Sequence, residues 1–165
     1  LDVDYFKSYN DNYGHPAGDE VLQKLADIMQ RASTRAGEVV ARYGGEEFIL
    51  VLPGTSATSA LRTASRLREM IAQERIPHAT STVAQHVTIS QGIVTVRPDG
   101  EHQPAHLVKL ADQREFDAKI VGRENVMGGT DCGLGPRVGD AQIVWAKFEA
   151  MAEGARLASK ELWGR

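Results

Sequence analysis

Val39-Val40-Ala41-Arg42-Tyr43-Gly44-Gly45-Glu46-Glu47-Phe48-Ile49-Leu50-Val51-Leu52 is the stretch from which the fold can be read. Val39 to Arg42 and Phe48 to Leu52 are two apolar runs separated by Gly-Gly, which predicts a β-hairpin. Downstream, Pro53-Gly54-Thr55-Ser56 ends the second strand and offers a helix cap. A helix then runs to about Gln73 with Ala60, Ala64, Leu67 and Ile71 facing inward. Residues 74–86 read as polar loop, and Val87 to Val96 as a strand or bent pair of strands interrupted by Gly92. Pro104 to Ile120 is the next predicted helix, and Asn125-Val126-Met127 a short last strand. Upstream, residues 1–6 are β-like and Asn10-Asp11-Asn12-Tyr13-Gly14 carries turn chemistry. Pro16 to Arg31 is a helix whose stripe is Val21, Leu22, Leu25, Ile28 and Met29. The order β-α-β-β-α-β-α-β predicts an α+β domain with a mixed or antiparallel sheet.

The chain has 165 residues, 42% hydrophobic and 25% charged, an ordinary globular composition. Its formal charge of −3 argues against duplex nucleic acid as the main partner. No apolar run approaches the ~20 residues needed to span a bilayer. The single Cys132 excludes an intramolecular disulfide and points to a reducing compartment. The chain opens on Leu1 rather than Met, so it is expected to be a fragment whose beginning is missing. Domain boundaries fall at 1–127, a Gly-rich linker at 128–139, and a C-terminal amphipathic helix at 140–165. Along that last segment Val144, Phe148, Met151, Ala155, Ala158 and Leu162 recur at spacings of four and three, a buried stripe.

Side chains alternate along a strand, so Asp2 and Asp4 are expected on one face of the first strand. Glu46 and Glu47 follow a Gly-Gly turn that lets a substrate approach the backbone. If the hairpin lies beside the first strand, carboxylates cluster at one sheet edge. Such a cluster repels itself unless a hard divalent cation holds it, and Mg²⁺ with nucleotide phosphates is the common solution. A solvated acidic hairpin is the plainer alternative.

Arg42 to Phe48 matches the Arg-Tyr-Gly-Gly-Asp/Glu-Glu-Phe signature of the GGDEF family of diguanylate cyclases. Asp2-Val3-Asp4-Tyr5-Phe6-Lys7, Asn10-Asp11, Tyr13-Gly14-His15, Gly18-Asp19-Glu20-Val21-Leu22, and Lys119 with Gly122-Arg123-Glu124-Asn125 match its other motifs in order. The chain therefore resembles that family over residues 1–127, in its GGEEF variant. The resemblance implies a palm-like fold of the nucleotide cyclase and polymerase type. It implies condensation of two GTP molecules into cyclic di-GMP with release of pyrophosphate, in the cytoplasm, across a homodimer. By position, Asp2 and Glu46 with the Val3 carbonyl would bind Mg²⁺, with Mn²⁺ as an alternative. Glu46 or Glu47 would assist deprotonation of the ribose 3′-hydroxyl. Asn10 and Asp19 would hydrogen-bond guanine, Lys119 and Arg123 would hold the β- and γ-phosphates, and Phe6 and Lys7 would border them. Lys119 and Arg123, four apart, are neighbours if helix persists that far. A cationic helix end favoured by the dipole explains the same pair without a ligand.

Other features depart from the family pattern. The product-inhibition motif Arg-x-x-Asp reads Arg35-Ala36-Gly37-Glu38 here, with Arg66 as its facing arginine, so the carboxylate sits one methylene further out. Arg114 and Glu115 replace two apolar positions on the helix that carries Lys119, and Gln91 replaces an apolar strand residue. The family's upstream Leu-Thr-Gly-Leu-x-Asn-Arg-Arg segment is absent, and fusion to an upstream sensor is expected. The rival reading is a silent module that binds GTP or cyclic di-GMP for regulation. His102 and His106 have metal-pair spacing but no third ligand, and read as surface histidines. Trp145 and Trp163 read as packing anchors.

Overall fold

The hairpin forms as its sequence dictates and pairs with the start of the chain. Strand β2 (Val39–Gly44) runs antiparallel to β3 (Glu47–Val51), Val39 opposite Val51 and Arg42 opposite Phe48, with a bulge between Arg42 and Gly44. The Arg42 Nε–H closes the turn by donating to the Gly45 carbonyl at 2.8 Å. Strand β1 is only Asp2–Val3, and it pairs antiparallel with β3, placing Asp2 opposite Glu47. Its other side pairs antiparallel with β4 (Ile89–Thr95), Asp2 opposite Ser90 and Val3 opposite Ile89. A last strand, β5 (Val126–Thr130), runs parallel to β4. The sheet order is β2-β3-β1-β4-β5, so the mixed sheet and the α+β class are as expected, and β1 is central. The carboxylates therefore gather beside the central strand rather than at a sheet edge.

The computed structural model describes residues 1–97 and 103–130. The segment 140–165, most of the linker, His102, Cys132, Trp145 and Trp163 lie outside the described residues. Gly128 and Gly129 belong to β5, so the strand extends past the boundary expected at 127. No helix among the described residues is long and apolar enough to cross a membrane.

One element was misread from the sequence. Asn10 to Gly14 is not a turn after a six-residue strand: Phe6–Tyr13 is a helix, α1, followed directly by α2 (His15–Ala32). Asn and Asp are poor helix formers in isolation. Here Phe6 and Tyr9, one turn apart, are both buried in the core, and that burial overrides propensity. Along α2 the expected stripe of Val21, Leu22, Leu25, Ile28 and Met29 is buried with them. Helix α3 (Ala57–Glu74) starts where Ser56 Oγ accepts from the Ser59 N–H at 3.3 Å, and adds Leu67 and Ile71 to the same core. The strand interruption at Gly92 has a packing cause. A Cβ there would strike the Ala111 carbonyl and the Glu115 amide of α4 (Pro104–Ile120), so only glycine lets helix and strand backbones come this close. Gln91, polar yet buried, is satisfied by donating from Nε2 to the Ala64 carbonyl at 3.0 Å.

Candidate functional site

The two aspartates that the alternation rule places together have different fates, because β1 ends at Val3. Asp4 is fully buried and saturated. Its Oδ2 accepts from Thr88 Oγ1 at 2.8 Å and from the Glu124 N–H at 3.1 Å. Its Oδ1 accepts from Ser90 Oγ at 2.8 Å and from Arg123 Nη1 at 3.2 Å. A carboxylate so occupied is a rivet between strand, loop and the turn after α4. Asp2 instead reaches Lys119, whose Nζ lies 3.0 Å from its Oδ1. The Asp2 carboxyl is raised to about 6, chiefly by burial and also by Glu115 and Glu46, with Lys119 opposing.

Lys119 is shared. Its Nζ also lies 2.8 Å from Glu115 Oε1, within hydrogen-bonding distance. Burial opposes the Lys119 charge, yet Glu115 and Asp2 outweigh it and hold the ammonium above its ordinary range. The expected helical neighbour relation of Lys119 and Arg123 is not realised. Helix α4 ends at Ile120, and Gly122, Arg123 and Glu124 follow at φ of 125°, 58° and 42°, turning the chain back onto Asp4. Arg123 is held there by Asp4 and by the ring of Tyr5, with its guanidinium carbon 4.5 Å from the ring centroid. Arg114, flagged as a departure, pairs along the helix with Asp117 at 3.2 Å.

Glu46 lies in the hairpin turn and Glu47 opens β3, both half-buried, so the hairpin brings acids to the Asp2 end of the sheet. Among the described residues no three His, Cys, Asp or Glu side chains stand together as a metal site. A divalent cation would rest on Asp2, Glu46 and the Val3 carbonyl. The raised Asp2 pKa fits that set: burial, Glu115 and Glu46 disfavour its charge despite Lys119, and a hard cation would offset this.

Asn10 on α1 is brought against Gly18 of α2, the residue before Asp19. Gly18 makes this possible: a Cβ there would collide with Asn10 Oδ1 and lie 2.9 Å from its Cγ and 3.1 Å from Phe6 Cζ. Asn10 Oδ1 is buried and has no hydrogen-bond partner, whereas Asp19 is exposed. An unpaired buried acceptor costs roughly 1–3 kcal/mol, which a bound donor relieves. If Asn10 contacts a guanine base, as the resemblance implies, Gly18→Ala should weaken that binding by at least about tenfold, since the methyl displaces the Asn10 side chain. Calorimetric titration with GTP checks this, and native affinity in the variant contradicts it.

The Phe6 ring is in the core, stacked 6.3 Å from Tyr9, so only its backbone at the start of α1 can border a phosphate, while Lys7 is exposed. The expected product-site residues are each engaged locally. Glu38 Oε2 accepts from the Arg35 N–H at 3.0 Å, Arg35 Nη1 donates to Thr55 Oγ1 at 3.4 Å, and Arg66 donates to the Ala32 carbonyl. Tyr5 and Gly18 are contributors that motif reading quoted without assigning them a role. Gly18 carried a usable signal, as a glycine inside a helix pattern.

The family model described as "Diguanylate cyclase, GGDEF domain" matches residues 1–125. The chain is 38% identical over 128 residues to the response regulator PleD of Caulobacter vibrioides, covering 78% of this chain and 28% of that protein. It spans only 28–34% of the length of such curated relatives. Among solved structures, the active GGEEF domain of a diguanylate cyclase from Vibrio cholerae superposes with a TM-score of 0.63 at 33% identity, covering 77% of this chain and 78% of that one. The GGDEF domain of DgcB from Caulobacter crescentus, in complex with c-di-GMP, gives 0.67 at 29% identity, covering 77% and 73%.

Proposed function

This chain belongs to the GGDEF family of diguanylate cyclase domains, and from that membership we propose that it condenses two GTP molecules into cyclic di-GMP. The observation that supports this best is the buried, unpartnered Asn10 Oδ1, packed against Gly18, the residue before Asp19. Guanine offers N–H donors on one edge, and acceptors from Asn10 and Asp19 would suit that edge. Adenine would leave an acceptor unpaired.

In this reading Asp19 and Asn10 orient the base, and Lys119, Lys7 and the first-turn N–H groups of α1 attract the triphosphate. Asp2, Glu46 and the Val3 carbonyl would hold Mg²⁺, which supplies charge neutralisation at the reacting phosphate. Glu46 or Glu47 takes the proton from the ribose 3′-hydroxyl. A bond forms between that oxygen and the α-phosphorus of the partner's GTP, the bond to the β-phosphate oxygen breaks, and pyrophosphate leaves. Two such events, one from each chain of a dimer, close the ring. Catalysis comes from positioning and charge stabilisation.

Calorimetric titration with GTP and ATP tests the base pocket. GTP should bind more tightly by on the order of 10²–10⁴-fold, as expected of a site built on hydrogen bonds to its substrate. Equal affinities contradict the proposal.

A further inference from the structure

Glu115 is a carboxylate where packing asks for an apolar side chain. It is 7% exposed and lies where the backbone of α4 rests against β4, its own amide among the atoms that close over Gly92. Burying an acid there is unfavourable unless it is paired. Its charged partner is Lys119, whose ammonium lies 2.8 Å from its Oε1. The same ammonium lies 3.0 Å from Asp2 Oδ1. One cation thus serves two carboxylates across the α4–β1 contact. Both acids favour its charge, and both occupy donors that a phosphate would need.

We propose that Glu115 is a positioning residue that holds Lys119 against β1 and thereby restrains triphosphate binding. This rests on the reading that Lys119 serves GTP phosphates. The ammonium has three donors; to serve a phosphate it must leave Glu115 or share with it, and the carboxylate adds a negative charge beside the incoming anion. Removing that charge frees the donors and makes the local field more positive. The restraint acts on the phosphates alone, because Asn10 lies on α1 and Asp19 on α2 rather than on α4.

The test uses the 165-residue chain, at fixed Mg²⁺, with 3′-deoxy-GTP, which carries the triphosphate but lacks the attacking hydroxyl. Binding is compared in the native chain, Glu115→Gln and Glu115→Leu; the leucine variant suits a buried helix position should the glutamine fold poorly. Affinity for 3′-deoxy-GTP should rise about tenfold in either variant, in line with the loss of one close competing charge. Affinity for guanosine should stay as it is, and the gain should vanish in a Lys119→Met background. Three outcomes overturn the inference while leaving the proposed function standing: native affinity in both variants, weaker binding in both with unchanged melting, or an equal gain for guanosine. A complete lack of guanine-nucleotide binding in all three proteins overturns the reading of the site and the inference with it.

Discussion

Asp2→Asn should remove the proposed turnover and leave the fold standing. Asp2 is opposite Glu47 and within the field of Glu46, and the proposed metal set has only one other carboxylate. With it neutral, a divalent cation loses half its charged ligands, and the rate should fall by on the order of 10³-fold or more. Stability should change little. The Asp2 carboxyl is already raised to about 6, chiefly by burial, so its charge is disfavoured where it sits, and an amide of the same shape relieves that burial while giving up the Lys119 pair. Parallel measurement of product formation and thermal melting decides the matter. A variant that keeps native turnover contradicts the metal assignment, and one that loses both together shows Asp2 to be structural.

Asp4→Ala gives the opposite result two residues along. Four donors converge on this carboxylate, from Thr88, Ser90, Glu124 and Arg123, and none of its surface is exposed. Truncation leaves buried donors unsatisfied and Arg123 without its counter-charge, a loss of about 3–5 kcal/mol. For a domain of this size that lowers the melting midpoint by roughly 10–15 °C. The turn that closes α4 should loosen with it, since its residues 122–124 sit at positive φ and are held by these bonds. A melting midpoint within about 2 °C of native contradicts the rivet.

The contrast marks how far the sequence could be read. The hairpin, α2 and α3 were legible because apolar periodicity, a Gly-Gly turn and a Ser cap agree with the tertiary contacts, whereas α4, read over Pro104 to Ile120, carries no apolar stripe. Helix α1 was not legible: its Asn-Asp-Asn run carries turn chemistry, and only burial of Phe6 and Tyr9 makes it helical. Asp2 and Asp4 could be placed near one another by strand alternation, but not told apart, because the end of β1 at Val3 depends on pairing with β3 and β4. The end of α4 at Ile120 was read from the sequence, which leaves Arg123 beyond the helix, where the chain turns back onto Asp4, a contact that spacing alone does not contain. Glu115 stood out as a polar residue at an apolar position, yet its sharing of Lys119 with Asp2 is a contact between distant segments that no local pattern contains.

The most direct measurement is to incubate the chain with GTP and Mg²⁺ and resolve the products by chromatography. The account predicts cyclic di-GMP and pyrophosphate in a ratio of one to two, set by the balance of the reaction, and formed at a rate that rises more steeply than in proportion to protein concentration while dimers are scarce. GTP that binds at the Asn10 and Asp19 pocket yet is recovered intact, at protein concentrations where the chain is dimeric, contradicts the cyclase and leaves a nucleotide-binding module in its place.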